Sequence, residues 1–324
     1  MEGISRRNFL AGAGVTAAAC ATQSLFGQAT AAQSPFRIAV ISDEISQDFD
    51  HACSVIAKDF GLQWVEIRSL WNKSIQTVSD TEIAEMQKIL AKYSLRVTDI
   101  ASPLFKVDWP GAPKSKFSSK GSMHGAPEVA YKQQDEVLEQ AIARAKQFKT
   151  NKIRCFDFWR IDDVAPYRAA INEKLRSTAE MVGKQNLLLV LENEFECNTG
   201  TGREAAKTLA AVQTPHFALN WDPGNAVMVG ELDAYPGGWD LLPKNRIHHC
   251  HCKNAVKDAA GKIVWSPVDK GYVNWVAQFR ALKQIGYREA VSLETHWRGA
   301  GTPEASTRIS WAGMKKCLEE ANAF

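Results

Sequence analysis

The feature that most constrains this chain is a repeated alternation of strand and helix. Apolar runs of strand length recur at Phe36–Ile45, Trp64–Ser69, Arg96–Pro103, Lys152–Phe158, Leu187–Glu194, Phe217–Asp222, Arg246–Lys253 and Glu289–His296, with helical segments between them. Helix signals punctuate the repeat. Ser79-Asp80-Thr81-Glu82 reads as a capping box ahead of the stripe Ile83, Met86, Leu90 and Tyr93, and Asn274 is placed to cap Trp275 to Ile285, with Gly286 at the exit. Eight such units across residues 33–324 predict an α/β fold of the (β/α)₈ TIM barrel type. A doubly wound open sheet usually has fewer strands and a glycine-rich phosphate turn after the first. Here Ile41-Ser42-Asp43-Glu44 follows the first strand, and no phosphate-binding glycine motif occurs elsewhere. Two connections are long, Leu104 to Gly125 and Pro223 to Asn245. Both follow a strand, on the face where barrel enzymes place their active sites.

Residues 1–32 read as an address rather than as part of the fold. Ser5-Arg6-Arg7-Asn8-Phe9-Leu10 sets paired arginines before an apolar run, Phe9 to Ala21, that is too short for a stable membrane span. This is the pattern of a twin-arginine export signal, which makes the export machinery a partner and the periplasm the expected location. Ala29-Thr30-Ala31-Ala32 offers a cleavage site, and Cys20 after Ala18-Ala19 offers lipid attachment as a second possibility. Removing residues 1–32 takes away Glu2, Arg6 and Arg7 and lowers the net charge from +3 to +2. A near-neutral chain with no basic patch is not built for nucleic acid. Cys53, Cys155, Cys197, Cys250, Cys252 and Cys317 are scattered along the barrel segment, and Cys250-His251-Cys252 lacks the second half of a structural zinc motif, so the cysteines read as small buried hydrophobes.

Polar residues gather at the ends of the later strands. Period-two alternation sends Leu191, Leu219, Trp221, Cys250, Cys252 and Leu293 toward the helices. The lumen set is then Glu192, Asn220 and Asp222, His249, His251 and Lys253, and Ser292, Glu294 and His296. Strands five to eight thus each deliver a metal-capable side chain to one mouth. Taken singly, a strand-end carboxylate is more often a cap or an ion-pair partner, and a lone histidine a hydrogen-bonded core residue. Three carboxylates converging on one mouth repel one another and need a positive charge between them. Three carboxylates and an imidazole suit one divalent ion, Mn²⁺ or Mg²⁺ best, with Co²⁺ or Zn²⁺ as alternatives.

Leu191-Glu192-Asn193, Trp221-Asp222-Pro223-Gly224-Asn225, His251-Cys252-Lys253-Asn254 and Ser292-Leu293-Glu294 resemble the four motifs of the xylose-isomerase-like barrel superfamily, the sugar phosphate isomerase/epimerase group, in the family's order. The resemblance implies that Glu192, Asp222, His251 and Glu294 hold one divalent metal and that Glu192 and Glu294 are the acid/base pair. Glu66 resembles a recurring second-strand position. Ketohexose 3-epimerases of this group carry a histidine three residues after the metal aspartate and an arginine six after the metal histidine, both on the sugar. Asn225 and Lys257 stand there in this chain. The AP endonuclease branch needs several zinc ions and many more histidines than the 7 present, which sets DNA repair aside.

The expected activity is therefore metal-dependent removal of a proton next to a carbonyl, through an enediolate, on a free sugar, keto-sugar or polyol. Proton return gives an isomerase or epimerase, whereas loss of a β-substituent makes the same site a lyase or dehydratase, for example on a 3-keto-glycoside. A non-catalytic sugar- or metal-binding barrel is the alternative from another class, and a homo-oligomer stays open. Glu66, Asn225, Lys253 and His296 are the candidate substrate-binding residues, and Trp71, Phe105, Trp109 and Trp159 the aromatics available to stack on sugar faces. The leader yields a direct expectation: with Arg6 and Arg7 replaced by Lys, the barrel folds but stays in the cytoplasm. Cell fractionation with N-terminal sequencing checks this, and a mature N-terminus outside the cytoplasm in that variant contradicts it.

Overall fold

The computed structural model describes residues 34–118 and 130–324. The leader with Cys20, and part of the Leu104–Gly125 connection, lie outside the described residues. All eight expected strands are present: β1 (Arg37–Val40), β2 (Trp64–Ile67), β3 (Arg96–Leu104), β4 (Lys152–Cys155), β5 (Leu188–Glu192), β6 (Phe217–Trp221), β7 (Ile247–Cys252) and β8 (Ala290–Leu293). They pair in parallel with sequential neighbours from β2 round to β8, and β8 pairs with β1. A single bridge between Ile41 and Glu66 brings β1 to β2 and completes the ring. The main helices are α1 (Phe49–Ser54), α2 (Asp80–Lys92), α3 (Gln134–Gln147), α4 (Ala165–Gly183), α5 (Gly202–Ala211), α6 (Pro223–Val229), α7 (Trp275–Gln284) and α8 (Pro303–Glu320). The fold is a (β/α)₈ barrel.

Local chemistry explains the element limits. Ser79 and Glu82 form the expected reciprocal capping box on α2, and the Asn274 side chain accepts from the Ala277 amide at the start of α7. Gly286, at φ +73°, ends the α7 segment in the left-handed conformation that glycine adopts without strain. Alternation along the strands divides the molecule into two interiors. Leu189, Leu191, Leu219, Trp221, Cys250, Cys252, Val291 and Leu293 face the helices and belong to one continuous apolar core. The six described cysteines are all free and buried. The lumen carries an ion pair at its base, where Lys152 reaches Glu289 at 2.7 Å, buried apolar residues such as Val190 and Ala218 above it, and polar side chains at its mouth.

Three features depart from the sequence reading. The first strand stops at Val40, and Ser42–Glu44 turn into a short 3₁₀ segment that carries Asp43 and Glu44 inward. The Pro223–Asn245 connection is not an open loop, because Asp222 caps α6 inside it, accepting from the Asn225 amide at 2.9 Å. After β7 the chain makes an antiparallel hairpin, Asn254–Lys257 with Ile263–Ser266, that no periodicity announced. Asn254 closes its base by donating to the Val268 and Val273 carbonyls and accepting from the Val273 amide.

Helix α6 sits against β7 at Gly224, where an added Cβ would lie 2.6 Å from Lys253 Cγ and 3.0 Å from the Lys253 carbonyl oxygen. Gly224→Ala therefore forces α6 away from the mouth and destabilises the fold by about 1–3 kcal/mol. Urea unfolding measures the loss, and unchanged stability contradicts the close approach.

Candidate metal centre

Four strand ends bring Glu192, Asp222, His251 and Glu294 together, all buried, with one ligand atom from each lying within 4.8 Å of the others. His251 Nδ1 is the common point: Glu192 Oε1 and Glu294 Oε2 each stand 3.2 Å from it, and Asp222 Oδ2 stands 3.7 Å away. The other ring nitrogen, Nε2, is 2.9 Å from Glu66 Oε1. A carboxylate accepts only, so Nε2 carries the proton there and Nδ1 is the atom left for a metal. Glu66 uses its second oxygen on His249 Nε2 at 3.0 Å. It therefore stands behind the imidazole and is wholly buried, in the position of a carboxylate that orients a metal-bound histidine.

Cations already balance these acids. Lys253 Nζ, buried, lies 2.8 Å from Asp222 Oδ2, contacts Glu294 Oε2 directly, and is 3.8 Å from Glu192 Oε1. Arg68 bridges Glu294 at 2.7 Å, Glu44 at 2.6 Å and Asp43 at 2.8 Å, while Arg298 pairs with the other oxygen of Glu44. Arg154 donates to Glu192 at 3.0 Å and to the Ala101 and Ser102 carbonyls. His296 Nε2 is 3.3 Å from Glu294 Oε1. Asn225 does not reach outward. Its amide donates to Glu192 Oε1 at 3.1 Å and to the Asn193 carbonyl at 2.9 Å. Lys257 is exposed on the hairpin.

The electrostatics follow from burial and these partners. Burial opposes ionisation of Glu192, but His251 and Arg154 outweigh it and hold the carboxyl down at about 2. Glu294 is likewise lowered by Lys253, His296 and His251 against its burial. Asp222 goes the other way: burial, with Glu192 and Glu294 nearby, pushes it up to about 7 in spite of Lys253. Burial disfavours the charged form of His251, yet Glu66, Glu192 and Glu294 together raise it well above the usual histidine range. Deep below, burial and Glu66 push Asp99 up to about 6. A donor set of three buried carboxylates and one imidazole nitrogen fits a divalent cation. Taking one up means releasing the Nδ1 proton and moving the Lys253 ammonium aside.

Sequence reasoning missed Asp43, Glu44, Arg68 and Arg154. For Arg154 the signal was available, because Lys152, Arg154 and Phe156 alternate with the core residues Ile153 and Cys155. Of the four aromatics considered for stacking, Phe105 and Trp159 are buried and Trp71 and Trp109 are half-buried against the core. Trp71 meets Phe49 edge-on, Phe105 stacks on Phe158 at 5.0 Å, and Trp109 meets Phe158 at 4.7 Å. Positive φ at Trp71, Phe105 and Phe158 puts these strand-end residues in the left-handed region, where the chain turns sharply. Trp159 is buried in a small cluster with Phe156 and Cys197.

Residues 55–317 match the xylose isomerase-like TIM barrel family, and the chain belongs to it. Residues 3–22 match the twin-arginine translocation signal sequence. No helix among the described residues is long and apolar enough to cross a membrane. No curated protein sequence matches the chain. Among solved structures it is similar to the probable 3-DHS dehydratase AsbF of Bacillus anthracis, with 20% identity, TM-score 0.62, and coverage of 86% of this chain and 98% of that one. It is also similar to a xylose isomerase-like TIM barrel protein from Mycobacterium smegmatis in complex with magnesium, with 16% identity, TM-score 0.62, and coverage of 89% and 98%. D-psicose 3-epimerase from Clostridium cellulolyticum H10, solved with D-tagatose, gives 16% identity, TM-score 0.62, and the same coverage of 89% and 98%. At these identities the likeness is one of fold.

If Glu66 sets the tautomer of His251, then Glu66→Gln weakens Mn²⁺ binding by about 10–100-fold without unfolding the barrel. Asp222→Asn and His251→Ala each remove a donor and cost more. Isothermal titration with Mn²⁺ measures all three, and full affinity in Glu66→Gln would show that the ring needs no such partner.

Proposed function

We propose that residues 33–324 form an exported, divalent-metal-dependent enzyme that removes a proton from carbon next to a carbonyl in a small polyhydroxylated substrate, as a sugar isomerase or epimerase. One observation carries the reading: Glu192 from β5 and Glu294 from β8 reach the same histidine nitrogen from strands three apart around the ring. In this reading Glu192, Asp222, His251 and Glu294 hold the ion, Mn²⁺ or Mg²⁺. The bound ion supplies Lewis-acid polarisation of the carbonyl and an adjacent hydroxyl. Glu192 and Glu294 face the substrate from two sides: one, ionised, takes the proton from carbon, and the other, having picked up a proton from solvent, delivers it to the opposite face. Arg154 and Asn225 fix Glu192, while Arg68 and His296 fix Glu294. Lys253 is placed to donate to a substrate oxygen as charge develops on it. The magnesium of one fold neighbour and the epimerase activity named for another support this reading.

The match of residues 3–22 supports the periplasm as the place of action. The mouth is consistent with an unphosphorylated substrate, because Arg68, Arg154, Lys106 and Lys253 all have carboxylate partners. His296 favours elimination as a second reading. It is a further proton carrier beside Glu294 that two-base epimerisation does not require, and a fold neighbour is named a probable dehydratase.

In D₂O, with a panel of keto-sugars, the metal-loaded protein is expected to place solvent deuterium on the carbon next to the carbonyl. Glu192→Gln and Glu294→Gln are expected to lose about 10²–10⁴-fold in turnover while retaining more metal than His251→Ala. A stereoisomer as product identifies epimerisation, and an unsaturated ketone with its ultraviolet band identifies elimination. Metal and sugar bound without any C–H exchange would leave a binding protein instead.

A further inference from the structure

The rim just outside the candidate metal centre carries a continuous line of half-buried aromatic rings. Phe195 lies three residues beyond Glu192, His296 two beyond Glu294, and Trp265 on the hairpin that follows Lys253. Trp265 meets His296 edge-on at 5.0 Å and Phe195 at 5.9 Å, and Phe195 meets Phe117 at 6.1 Å. The inner end of this line touches the site itself, since the Lys253 ammonium that contacts Asp222 and Glu294 also lies 5.2 Å over the Trp265 ring. The outer end packs on Phe156 and Trp159. Hydrogen-bonding groups are interleaved with the rings. Lys106 Nζ sits over Phe156 and Trp159 and reaches Glu194 at 3.1 Å and Glu196 at 3.3 Å.

Apolar ring faces alternating with paired charges match the surface of a sugar, which offers C–H faces to aromatics and hydroxyls to ionic groups. A monosaccharide chelated at the centre would not need a wall extending from the end of β8 past Phe195 to Phe117. At the inner end the Lys253 ammonium is already paired with Asp222 and Glu294, while at the outer end Lys116 lies 5.2 Å over the Phe117 ring. Building on the reading of the metal centre given above, we propose that Trp265, Phe195 and Phe117, with Lys106 and Glu194, form a subsite for a second ring, so that the substrate is a sugar unit still joined to another by a glycosidic link.

The test is calorimetric binding of glucose, cellobiose and maltose to Mn²⁺-loaded protein, with Mn²⁺ titrated separately on the same samples. At least one disaccharide is expected to bind about tenfold more tightly than glucose, an increment of the size an aromatic contact supplies. Phe195→Ala is expected to remove that preference while glucose and Mn²⁺ affinities stay within about twofold, Trp265→Ala to remove it as well, and Trp265→Phe to keep most of it. Equal affinity for glucose and both disaccharides, no binding of either disaccharide, or equal losses for mono- and disaccharide in Phe195→Ala would overturn the subsite. Mn²⁺ retained with no disaccharide preference sinks the subsite alone, whereas failure to bind Mn²⁺ sinks the metal-centre reading on which it rests.

Discussion

The mouth of this barrel is organised by one electrostatic constraint: three carboxylates are buried within a few ångströms of one another and cannot stay ionised without compensation. Removing charges from water costs several kcal/mol per ion, and only close, well-bonded partners recover it. The compensation runs outward in chains. Glu294 is held by Lys253 and Arg68, Arg68 is held by Asp43 and Glu44, and Glu44 by Arg298. Glu192 is held by Arg154, whose remaining nitrogens are spent on backbone carbonyls. Behind His251, Glu66 links to His249. Every member but the exposed Arg298 is buried, so removing one inner member strands the next, and the lumen is fixed as a network rather than as separate pairs.

That arrangement divides the work of the two interiors. Barrel lumens are commonly filled by layers of branched apolar side chains. Here the apolar packing lies between strands and helices, where Leu191, Leu219, Trp221, Cys250 and Leu293 form part of the continuous core, while the lumen carries charge. Buried ion pairs add little net stability compared with apolar packing of the same volume. The outer core must therefore carry the fold, leaving the lumen free to hold a geometry that burial alone would not favour.

The sequence made the lumen of strands five to eight legible because a strand's side-chain period is two, and a single polar residue flanked by core residues reveals the phase. The same test locates Arg154, and it would place Glu66 and Arg68 together, since Val65 before Glu66 and Ile67 between the two are core residues. Other residues were out of reach for physical reasons. Glu44 faces inward only because the chain leaves β1 through a 3₁₀ turn, which breaks the alternation. Trp265 reaches the rim only through a hairpin whose register is set by its turn and by the Asn254 side chain. Phe105 and Trp71 look like rim residues from their positions after strands, and their positive φ values, which sequence does not display, accompany rings packed into the core.

The segment Trp221-Asp222-Pro223-Gly224-Asn225 shows how closely the donors are tied. Asn193 accepts from the Asp222 amide and donates to its carbonyl, so the ends of β5 and β6 are bonded to each other. The Asn225 backbone amide donates to the capping Asp222 side chain, and its side-chain amide donates to Glu192 and the Asn193 carbonyl. Gly224 lets the same turn rest against Lys253, the residue after β7. Five residues thus connect three adjacent strands, and the side chains on them cannot move independently, which is the preorganisation that the proposed metal-centred reaction would require. It also bears on selectivity. The position where related ketohexose epimerases present a sugar-binding histidine is here an asparagine turned away to brace Glu192. In the proposed reading, hold on the rest of a substrate would come from beyond the strand ends, on the side where the hairpin after β7 brings Trp265 to the rim.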